Sequence, residues 1–136
     1  MENMSRILMP KEVFDQMTGH CRSVYPNEAC GILGGKNSVV KKIYEMTNVD
    51  HSPVSYIMDT KEQFNVMKDM RKDGYDMVAI YHSHPHSPAY PSPKDREFAY
   101  YSTAVYVIVS LVDQEKPDVR AFEIDEVELK EVEIYF

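Results

Sequence analysis

The sequence has no tryptophan, only two cysteines and only five glycines in 136 residues. Two cysteines cannot staple a disulfide scaffold or ligate a zinc ion by themselves, so Cys21 and Cys30 read as buried thiols of a reducing compartment, and the cytoplasm is the expected location. Long hydrophobic runs are missing too. The longest is Ala104 to Val112, interrupted by Ser110, well short of the roughly 20 residues that cross a bilayer. The opening MENMSRILMP has no basic head followed by an apolar run, so no secretory leader is expected. Basic residues are scarce: 15 Lys and Arg against 22 Asp and Glu give a net charge of -7. That balance disfavours nonspecific nucleic-acid binding, which runs on phosphate neutralisation. What remains is ordinary globular composition, 43% hydrophobic and 27% charged. At this length one domain spanning residues 1–136 is expected.

The charge is local. Residues 1–112 hold 12 bases and 13 acids, whereas residues 113–136 hold 3 bases and 9 acids. From Val119 onward apolar residues nearly alternate with these acids, the period of half-buried strands. Two closing strands, about 118–125 and 127–135, are expected to form a hairpin. Upstream, Ser5 to Met9 reads as a short strand. Val13, Met17, Cys21 and Val24 follow Pro10 at helical spacing, in a helix ending near Tyr25-Pro26. Ala29–Leu33 and Ser38–Met46 read as strands joined by a turn at Gly34-Gly35-Lys36-Asn37. Asn48 to Ser55 reads as loop. Asp59 or Thr60 caps a second helix with Phe64, Met67 and Met70 on one face and Gly74 at its end. Met77–Tyr81 reads as a buried strand, Asp95–Tyr101 as a short helix and Ala104–Leu111 as a central strand. Strands and helices interleave, which is the pattern of an α/β fold with helices packed on a mixed sheet.

Chemistry concentrates between Tyr81 and Asp95, where three of the five histidines and four of the eight prolines lie. His82 and His84, two apart at a strand end, project the same way because strand side chains alternate faces. Ser92 and Asp95, three apart, share one face of a first helical turn. The proline-rich loop between them has a restricted backbone that can fold this turn over the strand end. Two imidazoles and a carboxylate make a three-ligand zinc site with the fourth position open for water. Ser92-Pro93-Lys94-Asp95 also reads as a capping box with proline at the first helical position, and the two uses are compatible. A proton carrier is still needed. The candidate is Glu28, a charge at the head of the apolar stretch Ala29-Cys30-Gly31-Ile32-Leu33. His86 reads as a loop or outer residue rather than a ligand, and His20 and His51 as surface residues. Cys30 reads as core, and Tyr90 as either a cleft aromatic or a packing residue.

Glu28, His82-x-His84-Pro85, Ser92 with seven residues between it and His84 and, after two more, Asp95 together resemble the signature of the JAMM (MPN+, JAB1/MPN/Mov34) metalloproteases at every defining position. Glu28-Ala29-Cys30-Gly31-Ile32-Leu33 resembles the family's first strand motif, Tyr81-His82-Ser83-His84-Pro85 and Pro91-Ser92 resemble its compact prokaryotic branch, and the likeness spans about Arg6 to Leu111. The resemblance implies a cytidine-deaminase-like α/β fold with a mixed sheet and packed helices. It implies zinc held by His82, His84 and Asp95, with Glu28 activating the zinc-bound water and Ser92 either donating a hydrogen bond to the oxyanion or orienting the water. Zinc deaminases use His-x-Glu with Pro-Cys-x-x-Cys, and neither element is present.

The resemblance further implies hydrolysis of an amide at the Gly-Gly end of a small ubiquitin-like or sulfur-carrier protein, including release of cysteine from a carrier adduct. The extended tail would lie in a narrow cleft beside a sheet edge. Neither nucleic acid nor membrane is expected as a partner. Two alternatives stand beside this one: a zinc amide hydrolase acting on a cell-wall peptide or small molecule, and a non-catalytic MPN-type binding module, whose members usually lack the ligand residues retained here.

Overall fold

The computed structural model describes residues 6–101, 103–125 and 127–136. The expected first-strand residue Ser5 lies outside the described residues. The elements run β1 (Arg6–Leu8), α1 (Lys11–Val24), β2 (Cys30–Lys36), β3 (Val39–Met46), α2 (Thr60–Asp73), β4 (Asp76–His84), α3 (Pro93–Glu97), β5 (Val105–Ser110), β6 (Asp118–Ile124) and β7 (Leu129–Tyr135). Helices and strands interleave in a mixed α/β arrangement, as the residue pattern indicates. No helix among the described residues is long and apolar enough to cross a membrane.

The strands hydrogen-bond in the order β1-β3-β2-β4-β5-β6-β7 and close into a barrel. The β4–β5 pair is parallel, and the β2–β3, β2–β4, β5–β6 and β6–β7 pairs are antiparallel. Closure runs through the three-residue β1. It pairs in parallel with β7, Arg6 against Glu133 through Leu8 against Tyr135, and touches β3 at Leu8 and Val39. The acidic C-terminal hairpin is therefore the staves that complete the barrel.

Pro10 stands at the N-cap of α1, and Val13, Met17 and Cys21 are buried along one stripe. They pack with Ile7, Leu33, Ala79, Tyr81, Val107 and Val109 in the main core. On the other face of the sheet Ile80, Ile108, Phe122 and Ile124 form a second cluster. A third cluster, Ile32, Tyr44 and Met70, lies under α2. Asp59 caps α2 by accepting from the Glu62 amide at 2.9 Å, and Gly74 ends it with φ 73°. Phe64 does not join the apolar face of α2 as expected. It is 62% exposed, with the Lys68 ammonium over its ring. Val66, Met67 and Met70 make the packed face instead.

The β2–β3 turn is also displaced from its expected place. Strand β2 runs through both glycines to Lys36, and the turn is Asn37-Ser38, with φ 53° and 65°. Gly35 serves close approach: a Cβ there would collide with the Val39 carbonyl, at a shift in the β2–β3 register. Gly31 faces the Tyr81 ring in the same manner, with no room for a methyl group. Gly31→Ala is therefore expected to displace Tyr81 and lower stability by about 1–3 kcal/mol, the usual magnitude of overpacking. Chemical denaturation would measure it.

Candidate metal and catalytic site

Strand β4 carries two messages, one per face. Ala79 and Tyr81 join the core beneath α1, while Ile80 belongs to the opposite cluster. By alternation His82 and His84 follow Ile80 outward. Both lie in the last residues of β4, where His82 is opposite Cys30 on one side and Ile108 on the other, and His84 is opposite Ser110. They are 1% and 4% exposed.

The proline-rich loop returns the chain to this spot. At its end Ser92 caps α3: its Oγ accepts from the Asp95 amide at 3.0 Å, and the Ser92 amide donates to Asp95 Oδ2 at 2.9 Å. With Pro93 next, this is a complete capping box. The cap fixes where the Asp95 carboxylate points. Asp95 Oδ2 lies 2.9 Å from His84 Nε2 and 3.2 Å from His82 Nε2, and the two Nε2 atoms are 3.2 Å apart.

Three atoms that carry lone pairs thus face one another. His84 Nδ1 is 2.8 Å from the Pro88 carbonyl, which can only accept, so Nδ1 holds the proton and Nε2 is free to ligate. Such a convergence is repulsive unless a positive charge sits within it. Ligands at about 2.0–2.1 Å in a tetrahedral metal site are separated by about 3.3 Å, close to the edges observed. His82, His84 and Asp95 form a group able to hold a metal ion, and the donor set suits one.

Without an ion, imidazole protons on Nε2 supply that positive charge instead. Burial alone would raise the Asp95 pKa, but the hydrogen bonds then donated by His82 and His84 outweigh it and hold the carboxyl far below the usual range. Burial lowers the pKa of His82 and keeps it neutral. In His84 burial is outweighed by Asp95 and the Pro88 carbonyl, and the pKa rises.

Glu28 lies at the mouth of β2, 4% exposed. It is not paired with a lysine at a strand end; its Oε1 is buried without a hydrogen-bond partner. Burial lifts its pKa to about 8, with His84 opposing and Asp95 assisting. The backbone around it is pinned on every side. Its amide donates to the Ser52 carbonyl at 2.8 Å, and Ala29 exchanges hydrogen bonds with Ser83 through both Oγ and amide. Asn48, 6% exposed, donates from Nδ2 to the carbonyls of Glu28 and Ser55 and accepts at Oδ1 from the amides of Asp50 and Ile57. Asn48→Ala would leave these buried groups unpaired. It is expected to cost about 2–3 kcal/mol of stability and to reduce turnover by loosening Glu28. Urea melts and steady-state rates on the same preparation would measure both.

Nothing in the local pattern marked Asn48, because its four contacts are assembled only by the fold. Tyr56 was equally silent. Its ring stacks on His82 at 4.7 Å and 25°, linking the site to a cleft of about 550 Å³ beside Asp95. His20 departs from the surface role expected of it: its Nδ1 is 2.6 Å from the Tyr81 hydroxyl. His51 is exposed in its loop, as expected. His86 packs edge-on to Tyr25 away from the triad. Tyr90 is exposed and packs against Phe122, outside the cleft lining. Cys21 and Cys30 are free and buried, and burial raises each pKa to about 12. Neither thiol is a nucleophile at neutral pH.

A barrel strand that presents two buried imidazoles to a capped aspartate, with a second, protonatable carboxylate alongside, places this protein among the metal-dependent hydrolases. Residues 10–125 match the model of prokaryotic homologues of the JAB domain, and the chain belongs to that family. It is 34% identical over 120 residues to a CysO-cysteine peptidase of Mycobacterium tuberculosis, covering 87% of this chain and 82% of the relative. It is 34% identical to a desampylase of Haloferax volcanii, covering 78% and 81%. A protein of Desulfitobacterium hafniense solved in solution shares 39% identity and superposes with a TM-score of 0.86 over 94% of this chain and 90% of its own.

Proposed function

We propose that residues 1–136 form one zinc peptidase domain that hydrolyses the amide at the C-terminal Gly-Gly end of a small ubiquitin-like or sulfur-carrier protein, including a carrier–cysteine adduct. The observation that carries it is the convergence of His82 Nε2, His84 Nε2 and Asp95 Oδ2 within 3.2 Å, together with a buried Glu28 whose Oε1 has no hydrogen-bond partner. Two imidazoles and one carboxylate are the donor set of a catalytic zinc. When bound, zinc supplies a water acidified to a pKa of about 7 and a Lewis acid for the scissile carbonyl.

The rest falls to this chain's residues. Glu28 takes a proton from the attacking water at its free Oε1 and delivers it to the leaving nitrogen as the carbon–nitrogen bond breaks. Ser92 uses its oxygen to accept from the Asp95 amide, so its hydroxyl proton remains for the carbonyl oxygen as charge develops there. The products are a carboxylate on the carrier and a free amine. A relative that is a CysO-cysteine peptidase and another that is a desampylase support the substrate class. Two buried free thiols accord with a cytoplasmic setting. The extended tail would lie in the cleft beside Asp95, lined by Tyr56, Ile57, Phe98 and Tyr101.

The test is zinc quantification paired with a cleavage screen. β-grasp carriers extended beyond Gly-Gly by a cysteine, a peptide or an isopeptide-linked protein are incubated with the metal-loaded chain. Cleavage that a chelator stops and zinc restores is the expected result. No cleavage across the panel would overturn the substrate class, and cleavage indifferent to chelation would overturn the metal.

A further inference from the structure

The cleft beside the triad is lined by aromatic and polar side chains and by one cation. Asp50, Tyr56, Ile57, Phe98 and Tyr101 are typical of the lining, and Lys94 is the sole lysine, arginine or histidine among its described residues. Lys94 directly precedes Asp95 and is exposed to the cleft. It makes no side-chain hydrogen bond or ion pair among the described residues. Its charge reaches Glu28, whose carboxyl it stabilises in the ionised form against the larger effect of burial. An ammonium with no partner among the described residues therefore lines the same cleft as Asp95, the carboxylate ligand next to it in the chain.

We propose that Lys94 is a specificity-determining residue that binds the α-carboxylate of the leaving amino acid, so that the chain favours a carrier bearing a single terminal amino acid over an isopeptide-linked carrier. This deepens the proposed function and rests on it. In a terminal amino acid the scissile nitrogen and the carboxylate share one Cα, placing the carboxyl carbon about 2.5 Å from that nitrogen. A cation set to meet charge there distinguishes three classes of substrate. A released amino acid presents a carboxylate at this point. An internal peptide presents a neutral amide. An isopeptide presents the methylene chain of a lysine. The carboxylate would meet the ammonium in a cleft walled by Tyr56, Ile57 and Phe98, in a charge-assisted hydrogen bond.

The experiment compares two carriers that differ at one group: Gly-Gly followed by alanine with a free carboxylate, and the same chain ending in a carboxamide. For the wild-type protein the ratio of kcat/KM, acid over amide, is expected at roughly 10- to 100-fold. In Lys94→Met that ratio is expected to fall towards one, and Lys94→Arg is expected to restore most of it. Taking a ratio on one protein cancels any effect of Lys94 on Glu28 itself. Binding of both carriers to Glu28→Gln and to Glu28→Gln/Lys94→Met, measured by calorimetry without turnover, should show the same loss of preference. A wild-type ratio near one, or a ratio unchanged in Lys94→Met, would overturn the assignment. An equal fall on both carriers would also overturn it, by assigning Lys94 to the carrier's own surface. If neither carrier is cleaved, the substrate reading fails on that result, and the calorimetric preference still decides Lys94.

Discussion

Glu28→Gln is expected to keep its metal and lose about 100- to 10,000-fold in kcat, the range that a positioned proton carrier contributes. Glutamine fills the same volume at the mouth of β2 and leaves the backbone bonds to Ser52, Ser83 and Asn48 intact. It cannot cycle a proton. The ligand triangle does not include Glu28, so zinc content should stay at the wild-type level. Elemental analysis and initial rates on one preparation separate the two effects. Full activity in this variant would remove Glu28 from the mechanism.

The same substitution should change how the metal-stripped protein responds to pH. Folding raises the Glu28 pKa from the ordinary carboxylate value to about 8. Between roughly pH 4.5 and 8 the folded chain therefore holds a proton that the unfolded chain has released. Stability then falls as pH rises through this window, with a limiting slope on the order of 1 kcal/mol per unit. Glutamine has no proton to lose. The stripped Glu28→Gln protein is thus expected to gain on the stripped wild type as pH rises from 5 to 8. Denaturation midpoints across that range report it, and parallel curves would mean that the carboxyl is not desolvated.

His84→Ala is the second large effect. It deletes one ligand, the contact with the Pro88 carbonyl and one of the bonds that hold Asp95 ionised. Two ligands remain where three converged. The expected result is near-complete loss of zinc on dialysis. Activity should fall further than the 10- to 100-fold typical of losing an outer partner of a metal ligand. A thermal melt should show that the protein still folds, since His84 lies at the last residue of β4 rather than within the main core. Retention of stoichiometric zinc would exclude His84 from the ligand set.

The parts of this site that could be read beforehand are those governed by short-range rules. Alternation along a strand puts His82 and His84 on one face. A capping box brings Asp95 to a defined direction. Glu28 stood out because a lone charge heading an apolar run is costly to bury. Asn48 and Tyr56 carry no such local mark, since their roles depend on segments that meet only in three dimensions. Gly34 and Gly35 misled because glycine serves both turns and tight backbone contacts. The composition cannot distinguish the two uses, and here the turn fell to Asn37-Ser38. Barrel closure was hidden for a related reason: three residues of β1 choosing β7 as a neighbour leave no periodic trace.

That seam sets a schedule. Strand β1 leaves the ribosome well before β7, and roughly 125 residues of synthesis separate them, or about 6 to 25 s at 5–20 residues per second. Strands β2 to β5, which frame His82 and His84, are complete well before that. The nascent chain can therefore assemble the walls of its metal pocket while β1 and β5 still have open edges. The acidic hairpin then covers both, β7 pairing with β1 and β6 with β5, and the like charges along it disfavour pairing with another chain until it does.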